Sequence, residues 1–413
     1  MPRPADQPVP VSAWLAFVLA CLFFLFEFVA RVEPSLDAAG IKAHFGIVDG
    51  RFGLLASLFF WVYAPMQLVV GITLDKFGAR RVMVPAVLIC ALGPLLFAAS
   101  SSLALAGIGR ILTGLGGAFA FVGALYVANH RFPARAFATL SGVLAAIGMV
   151  GTAVGVVWLT QLSQALGWRT VFTMTGLAGI GLFVVMALFF KGYRAAERAA
   201  EHPLAQLPGL FRSGRLWALA IVSALYYVPV NAYAGLWGSS ELSHDRGLDP
   251  SRAEFDVSLI FWGLALGSIV AGLVSDRLSH RKWVVVAGAV SSALAFFAAL
   301  WLPGLGPRQV AGLMFVAGFL GGPQVLTFAM AKEGLPNAVA GTAMAVVNMV
   351  SIGGAMLFQP LAGYLLDLTG GNYHLALIPV FAAPLVAGIM TIFIREYRRP
   401  EHRLRPASPG AGA

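Results

Sequence analysis

Charge is scarce in this chain. Only 11% of its residues are Asp, Glu, Lys or Arg against 59% hydrophobic ones, and mean hydropathy is +0.82 over 413 residues. One apolar core cannot be wrapped in so thin a polar skin, so lipid must be the solvent. Cysteine is equally sparse: Cys21 and Cys90 are the only two, each within an apolar run. That excludes a disulfide framework and leaves two small packing residues. There is no phosphate-binding glycine loop, no His-Glu-x-x-His zinc pattern and no cysteine pair at metal spacing. No enzyme, catalytic residue, metal or cofactor is expected. His130, His280 and His374 fall near the ends of apolar runs, as interfacial side chains do.

Acidic residues number 18 against 28 basic ones, a net charge of +10, so the placement of the basic residues decides the partner. Twelve apolar stretches of spanning length, about 20 residues, run from Val11–Arg31 to Leu375–Ile394; Phe52–Leu74, Leu103–Ala128, Leu216–Trp237 and Ala338–Leu366 are among them. With a cytoplasmic N-terminus, 20 of the 28 Lys and Arg fall in the loops and tails of that side. Six fall outside, and Arg31 and Arg110 remain in the membrane. This is the positive-inside asymmetry, and it predicts both termini in the cytoplasm. Basic residues scattered over short loops also exclude nucleic acid. The first stretch lacks a basic lead and a small-residue cleavage site, so it reads as a retained helix.

A charged phrase occurs twice. Gly71, Asp75, Lys76, Arg80 and Arg81 return 201 positions later as Gly272, Asp276, Arg277, Arg281 and Lys282, each time joining two apolar stretches. A duplicated half-molecule predicts two similar helical bundles with a path between them. The expected organisation is a six-helix bundle at 1–190, a cytoplasmic linker at 191–213, a second six-helix bundle at 214–395 and a basic, then Pro/Gly/Ala-rich, tail at 396–413. The charged stretch Glu241–Asp256 reads as a solvated connector. Many of the 47 glycines lie within spans, where small residues let backbones approach closely.

The phrase resembles the loop signature of the major facilitator superfamily, met here by Gly71, Asp75, Lys76, Gly78, Arg80 and Arg81, with Thr73 in place of leucine and Ala79 in place of a basic residue. Arg110-Ile-Leu-Thr113-Gly114-Leu-Gly116-Gly117-Ala118 is similar to the family's fourth-helix pattern, with Thr113 where glutamine is common. The resemblance implies an all-α membrane protein of twelve helices in two pseudo-symmetric six-helix bundles, transport by alternating access, and conformational control by Asp75 and Arg80 with their counterparts Asp276 and Arg281. Asp75 is expected to accept hydrogen bonds from the first amides of the following helix. Arg31-Val-Glu-Pro34-Ser35-Leu36 further resembles the anion:cation symporter branch. That branch commonly has an aspartate before the arginine, here Ala30, and a glutamate seven residues past the fourth-helix arginine, here Gly117. Drug/proton antiporters of the superfamily typically carry a glycine-proline motif in the fifth helix, and Gly148-Met-Val-Gly151 has no proline.

An arginine near mid-membrane costs about 2.5–3.5 kcal/mol on insertion scales and needs a partner. Glu27 and Arg31 are one turn apart on one face, and at about 1.5 Å per residue Glu27 and Arg110 reach similar depths. A buried Glu27–Arg110 contact is therefore expected, with Arg31 a turn away. The three groups would carry one excess positive charge, which favours an anion. Proton coupling falls to Glu27, the one carboxylate in the first span's core, because protonating it would release an arginine to grip a carboxylate. The second bundle shows no equivalent buried charge. Its expected contribution is hydrogen bonding from Tyr227, Asn231, Gln324, Asn348 and Gln359, with Tyr63 from the first bundle and Tyr226, Trp262 and Phe328 as possible walls. The expected protein is a monomeric secondary transporter of a bacterial cytoplasmic membrane, moving a small organic anion with protons across the lipid bilayer. The alternatives are efflux of drug-like or siderophore-like compounds and a transport-silent membrane sensor.

Overall fold

The computed structural model describes residues 9–191, 211–278, 280–335 and 337–395. The linker 192–210 and the tail 396–413 lie outside the described residues. Among the described residues, twelve helices are long and apolar enough to cross a membrane: α1 Val11–Phe45, α2 Asp49–Phe77, α3 Ala79–Ala99, α4 Leu103–Arg131, α5 Thr139–Leu166, α6 Trp168–Phe189, α7 Gly214–Arg246, α8 Pro250–Leu278, α9 Arg281–Trp301, α10 Pro307–Lys332, α11 Gly341–Leu368 and α12 Tyr373–Phe393. Most exceed the expected stretches because their ends are polar yet still helical. α1 continues fourteen residues past Arg31, and the supposed connector Glu241–Asp256 is mostly the helical ends of α7 and α8, with Glu241, Glu254 and Asp256 buried. The second bundle thus holds buried carboxylates after all, near the end of the molecule that carries Asp49.

The two halves are built alike. In the first, α4 rides on α2 so closely that a Cβ at Gly114 would lie 2.2 Å from the Phe59 carbonyl oxygen. In the second, a Cβ at Gly318 of α10 would lie 2.2 Å from that of Ile260 in α8. Both first helices of the halves lose regularity at matching places. α1 tightens to a 3₁₀ stretch at Glu33–Asp37, with Pro34 near its start, and α7 widens to a π-helical stretch at Pro229–Trp237, opened by Pro229. Proline has no N–H to continue the ladder. The two irregular stretches pack against each other across the halves, at the position where broken helices of transporters expose backbone and side chains to a central path.

The halves meet along α2 with α11 and α5 with α8, tightly at one end only. The Asp367 carboxylate of α11 accepts the backbone N–H groups of Asp49 (3.0 Å) and Gly50 (2.8 Å) at the start of α2. A Cβ at Gly53 would sit 2.5 Å from the Gln359 carbonyl oxygen, and Ser251 of α8 donates to Gln164 of α5 at 2.9 Å. Further along, Asn348 reaches Gln67 at 3.4 Å. Beyond that point Gly71 and Gly341 have open space around the place of a Cβ. The closest contacts between the halves therefore lie at the Asp49 end.

Candidate functional site

Arg31 stands at the last regular turn of α1, beside the break, and is 8% exposed. Its Nε and Nη2 donate to Glu27 Oε1 at 2.9 and 2.6 Å, and Nη2 reaches the Tyr63 hydroxyl at 3.3 Å. The guanidinium carbon lies 4.2 Å from the centre of the Phe28 ring and 5.0 Å from that of Tyr63. Glu27 is fully buried, and its Oε2 has no hydrogen-bond partner among the described residues.

The expected Glu27–Arg110 contact is not made. Arg110 is buried and donates from Nη1 to the Ala30 carbonyl (2.9 Å) and from Nη2 to those of Arg31 (2.8 Å) and Ala56 (3.1 Å). The physical reason lies in Pro34. The Ala30 carbonyl would bond the amide of residue 34 in a continuous helix, and proline has none to give. Arg110 replaces that donor and holds the break in α1 by its backbone.

A further carboxyl joins the three expected groups. Glu33, placed outside the span by the sequence reading, is buried within α1. It lies beside Thr175 of α6 and within the field of Arg110. The interior therefore holds two carboxyls and two guanidiniums: Glu27 in contact with Arg31, and Glu33 near Arg110. A glutamate directly before a proline, just past a buried arginine, is the signal that could have revealed it.

A small hollow lies between the halves, with room for about 20 Å³, the space of a single water. Arg31 lines it from α1 with Phe28 and Val32, Phe60 lines it from α2, Tyr227 and Asn231 from α7, and Phe261 from α8. Arg110 is not among its walls. Gln324, Asn348 and Gln359 stand back from it, Asn348 reaching across to Gln67 of α2 and the other two in a polar network of the second bundle. Gln324 Nε2 donates to Ser223 (2.8 Å) and Ser351 (3.0 Å), Gln359 Nε2 to the Asn231 carbonyl (2.9 Å), and Asn231 Nδ2 to the Ser351 carbonyl (3.5 Å). Among the aromatics expected as walls, Tyr226 donates to the Leu320 carbonyl at 2.5 Å and Trp262 is 36% exposed; Phe28, Phe60 and Phe261 take the role.

The sequence matches the profile of the Major Facilitator Superfamily over residues 14–240 and over residues 219–412. The chain belongs to that superfamily. It is a membrane transporter by family, and its relatives include two of similar length. A protein of Cupriavidus necator named as a probable sulfoacetate transporter is 25% identical over 91% of this chain and 92% of its own. A cis,cis-muconate transport protein of Acinetobacter baylyi is 25% identical over 92% of this chain and 94% of its own. Among solved structures, a bacterial homologue of the human lysosomal transporter Spinster superposes with a TM-score of 0.72 at 16% identity, covering 94% of this chain and 95% of that one.

The superfamily's loop signature behaves differently in its two copies. Asp75 is exposed and does not cap α3, whose N-cap is Gly78 without a side-chain bond; the expected capping is not made. Arg80 donates to the Ala187 carbonyl of α6 at 2.8 Å. In the second copy Arg281 pairs with Glu333 at the end of α10 and lies 4.0 Å from Asp276. The signature thus ties each second-third helix joint to the last or fourth helix of its own bundle. At position 117, where the symporter branch carries glutamate, a Cβ would lie 2.7 Å from Glu27 Cγ. The space left by that glycine is filled by a carboxylate from α1.

Proposed function

We propose that this chain is a proton-coupled secondary transporter of a small organic anion, with Arg31 as the anion's partner and Glu27 as the coupling acid. The observation that carries the reading is an arginine lining a hollow between the bundles while paired with a buried acid on its own helix. The cargo named for two relatives, sulfoacetate and muconate, is organic and anionic, though each carries two charges where this site offers one arginine.

Charge balance gives the mechanism. An unpaired ion in a low-dielectric interior costs several kcal/mol. In the empty carrier, Arg31 is neutralised by Glu27. Protonating Glu27 weakens that pair, and an incoming carboxylate takes the guanidinium with charge-assisted hydrogen bonds. The site is then neutral again, now with one proton and one anion aboard. Glu33 and Arg110 offset each other throughout. Both neutral states can rock past the membrane interior, whereas anion without proton leaves a net charge there. The polar groups Tyr63, Tyr227, Asn231, Gln324, Asn348 and Gln359 position the cargo or the helices that hold it.

The loop charges assign the Asp75 end to the cytoplasm, with both termini there, in a bacterial cytoplasmic membrane. On that assignment the closely packed Asp49 end faces the outside. Asp75, Arg80, Asp276 and Arg281 would control the reversal, and the chain works as a monomer of two bundles, 1–190 and 214–395, joined by 191–213. The deciding test is uptake by proteoliposomes: acidifying the outside should drive concentrative accumulation of an organic anion. A sensor would bind the anion and show no such accumulation.

A further inference from the structure

On the reading of Arg31 as the anion's partner, we propose that the cargo is a monocarboxylate with a flat, apolar body, aromatic or conjugated, and neither a dicarboxylate nor a polyhydroxy acid. Of the two interior guanidiniums only one is offered. Arg110 is spent on three carbonyls and stays out of the hollow, and no lysine, histidine or second arginine lines it. A second carboxylate on the cargo would meet no counter-charge, a loss of several kcal/mol for a desolvated ion.

The walls point the same way. Phe28, Phe60, Phe261 and the Tyr227 ring surround Arg31, and the guanidinium already lies over the Phe28 ring at 4.2 Å. Once the hollow, now the size of a single water, widens, a planar carbon skeleton can slide between such faces with its carboxylate at the arginine's edge, gaining about 25 cal/mol for each Å² of apolar surface removed from water. Hydroxyl groups would fare worse. With the free Arg31 N–H groups taken by the carboxylate, and with Asn231 already giving one N–H to the Ser351 carbonyl, the wall keeps the second Asn231 N–H and the Tyr227 hydroxyl, too few donors for the several hydroxyls of a sugar acid. Each hydroxyl buried without a partner costs about 1–3 kcal/mol, and 1.4 kcal/mol is about ten-fold in affinity.

The test is thermal stabilisation of the purified full-length protein by sodium benzoate, sorbate, cis,cis-muconate and gluconate at equal ionic strength. Benzoate and sorbate should half-saturate at about ten-fold lower concentration than muconate or gluconate. Arg31→Ala, or Arg31→Lys if the first fails to fold, should abolish the shift for benzoate and sorbate, and Phe261→Ala should weaken benzoate more than acetate. Tighter, Arg31-dependent binding of gluconate or muconate would overturn this inference and leave the anion reading standing. Stabilisation by none of the four, or stabilisation insensitive to Arg31, would overturn the anion reading itself.

Discussion

Arg110 gives the Ala30 carbonyl, at 2.9 Å, the hydrogen bond that Pro34 withholds. One arginine therefore makes the break in α1 tolerable, and the break lets the other arginine, Arg31, stand beside the central hollow. The two roles separate by mutation. Arg110→Ala leaves buried carbonyls unsatisfied, at about 1–3 kcal/mol each, so it should lower thermal stability markedly. Arg31→Ala strips buried Glu27 of its partner and should also lower stability, the more so at high pH where Glu27 is ionised, but it alone should remove anion binding. In a Pro34→Ala background the amide is restored, and the Arg110→Ala cost should shrink. A double-mutant cycle on unfolding reads that coupling, and strict additivity would refute it.

Glu27→Gln places a permanently neutral group beside Arg31. In the native protein, anion affinity should rise as pH falls, because protonating Glu27 frees the guanidinium it holds at 2.6 Å. The variant should bind the anion with little dependence on pH and should exchange it across the membrane while failing to accumulate it against a gradient. Binding isotherms across pH and counterflow in proteoliposomes measure the two halves of this expectation. A variant that still concentrates anion under an acid gradient would remove Glu27 from the coupling role.

Twelve helices, two bundles and the repeat between them were legible because each leaves a long-range periodic mark: spanning length, loop charge and a phrase recurring at 201 positions. That Glu27 and Arg31 share a face was legible too, since i,i+4 spacing is a local property, whereas Tyr63, on another helix, joins them only through the packing. Which acid pairs with which arginine was not. Depth along a helix axis places Glu27 and Arg110 at one level, but azimuth decides contact, and azimuth here follows from a 3₁₀ break that no periodicity announces. Glu33 was missed for a related reason: hydropathy ended the span at Arg31, while the helix itself runs on to Phe45. The walls at Phe60 and Phe261 come from helices of different bundles and could be joined only by the packing.

Asp367 caps the first turn of α2 from the opposite bundle, which makes it a latch on the closed end. A carboxylate cap of this kind is worth about 0.5–2 kcal/mol, and a helix N-terminus favours its charge. Asp367→Ala should therefore raise the population open at the Asp49 end by about two- to thirty-fold. Spin labels placed across the Asp49 and Asp367 ends, read by pulsed distance measurements, would show a longer-distance component growing in. An unchanged distribution would mean that the close packing at Gly53 and Gly363 holds the seal without the latch.

Asp75 is exposed, at the opposite end of α2 from the Asp367 cap. A residue with no hydrogen bond or ion pair in one conformation has nothing to lose there, so Asp75→Asn should leave thermal stability and anion affinity of this state nearly unchanged. Its work must fall in the reversed state, when the Asp75 end closes and a carboxylate near the start of a neighbouring helix is stabilised by that helix's positive pole. Removing the charge should then disfavour closure, slowing net transport several-fold while half-saturation moves little. Rate and half-saturation measured together in proteoliposomes distinguish the outcomes, because a substitution acting on the hollow itself would shift half-saturation first.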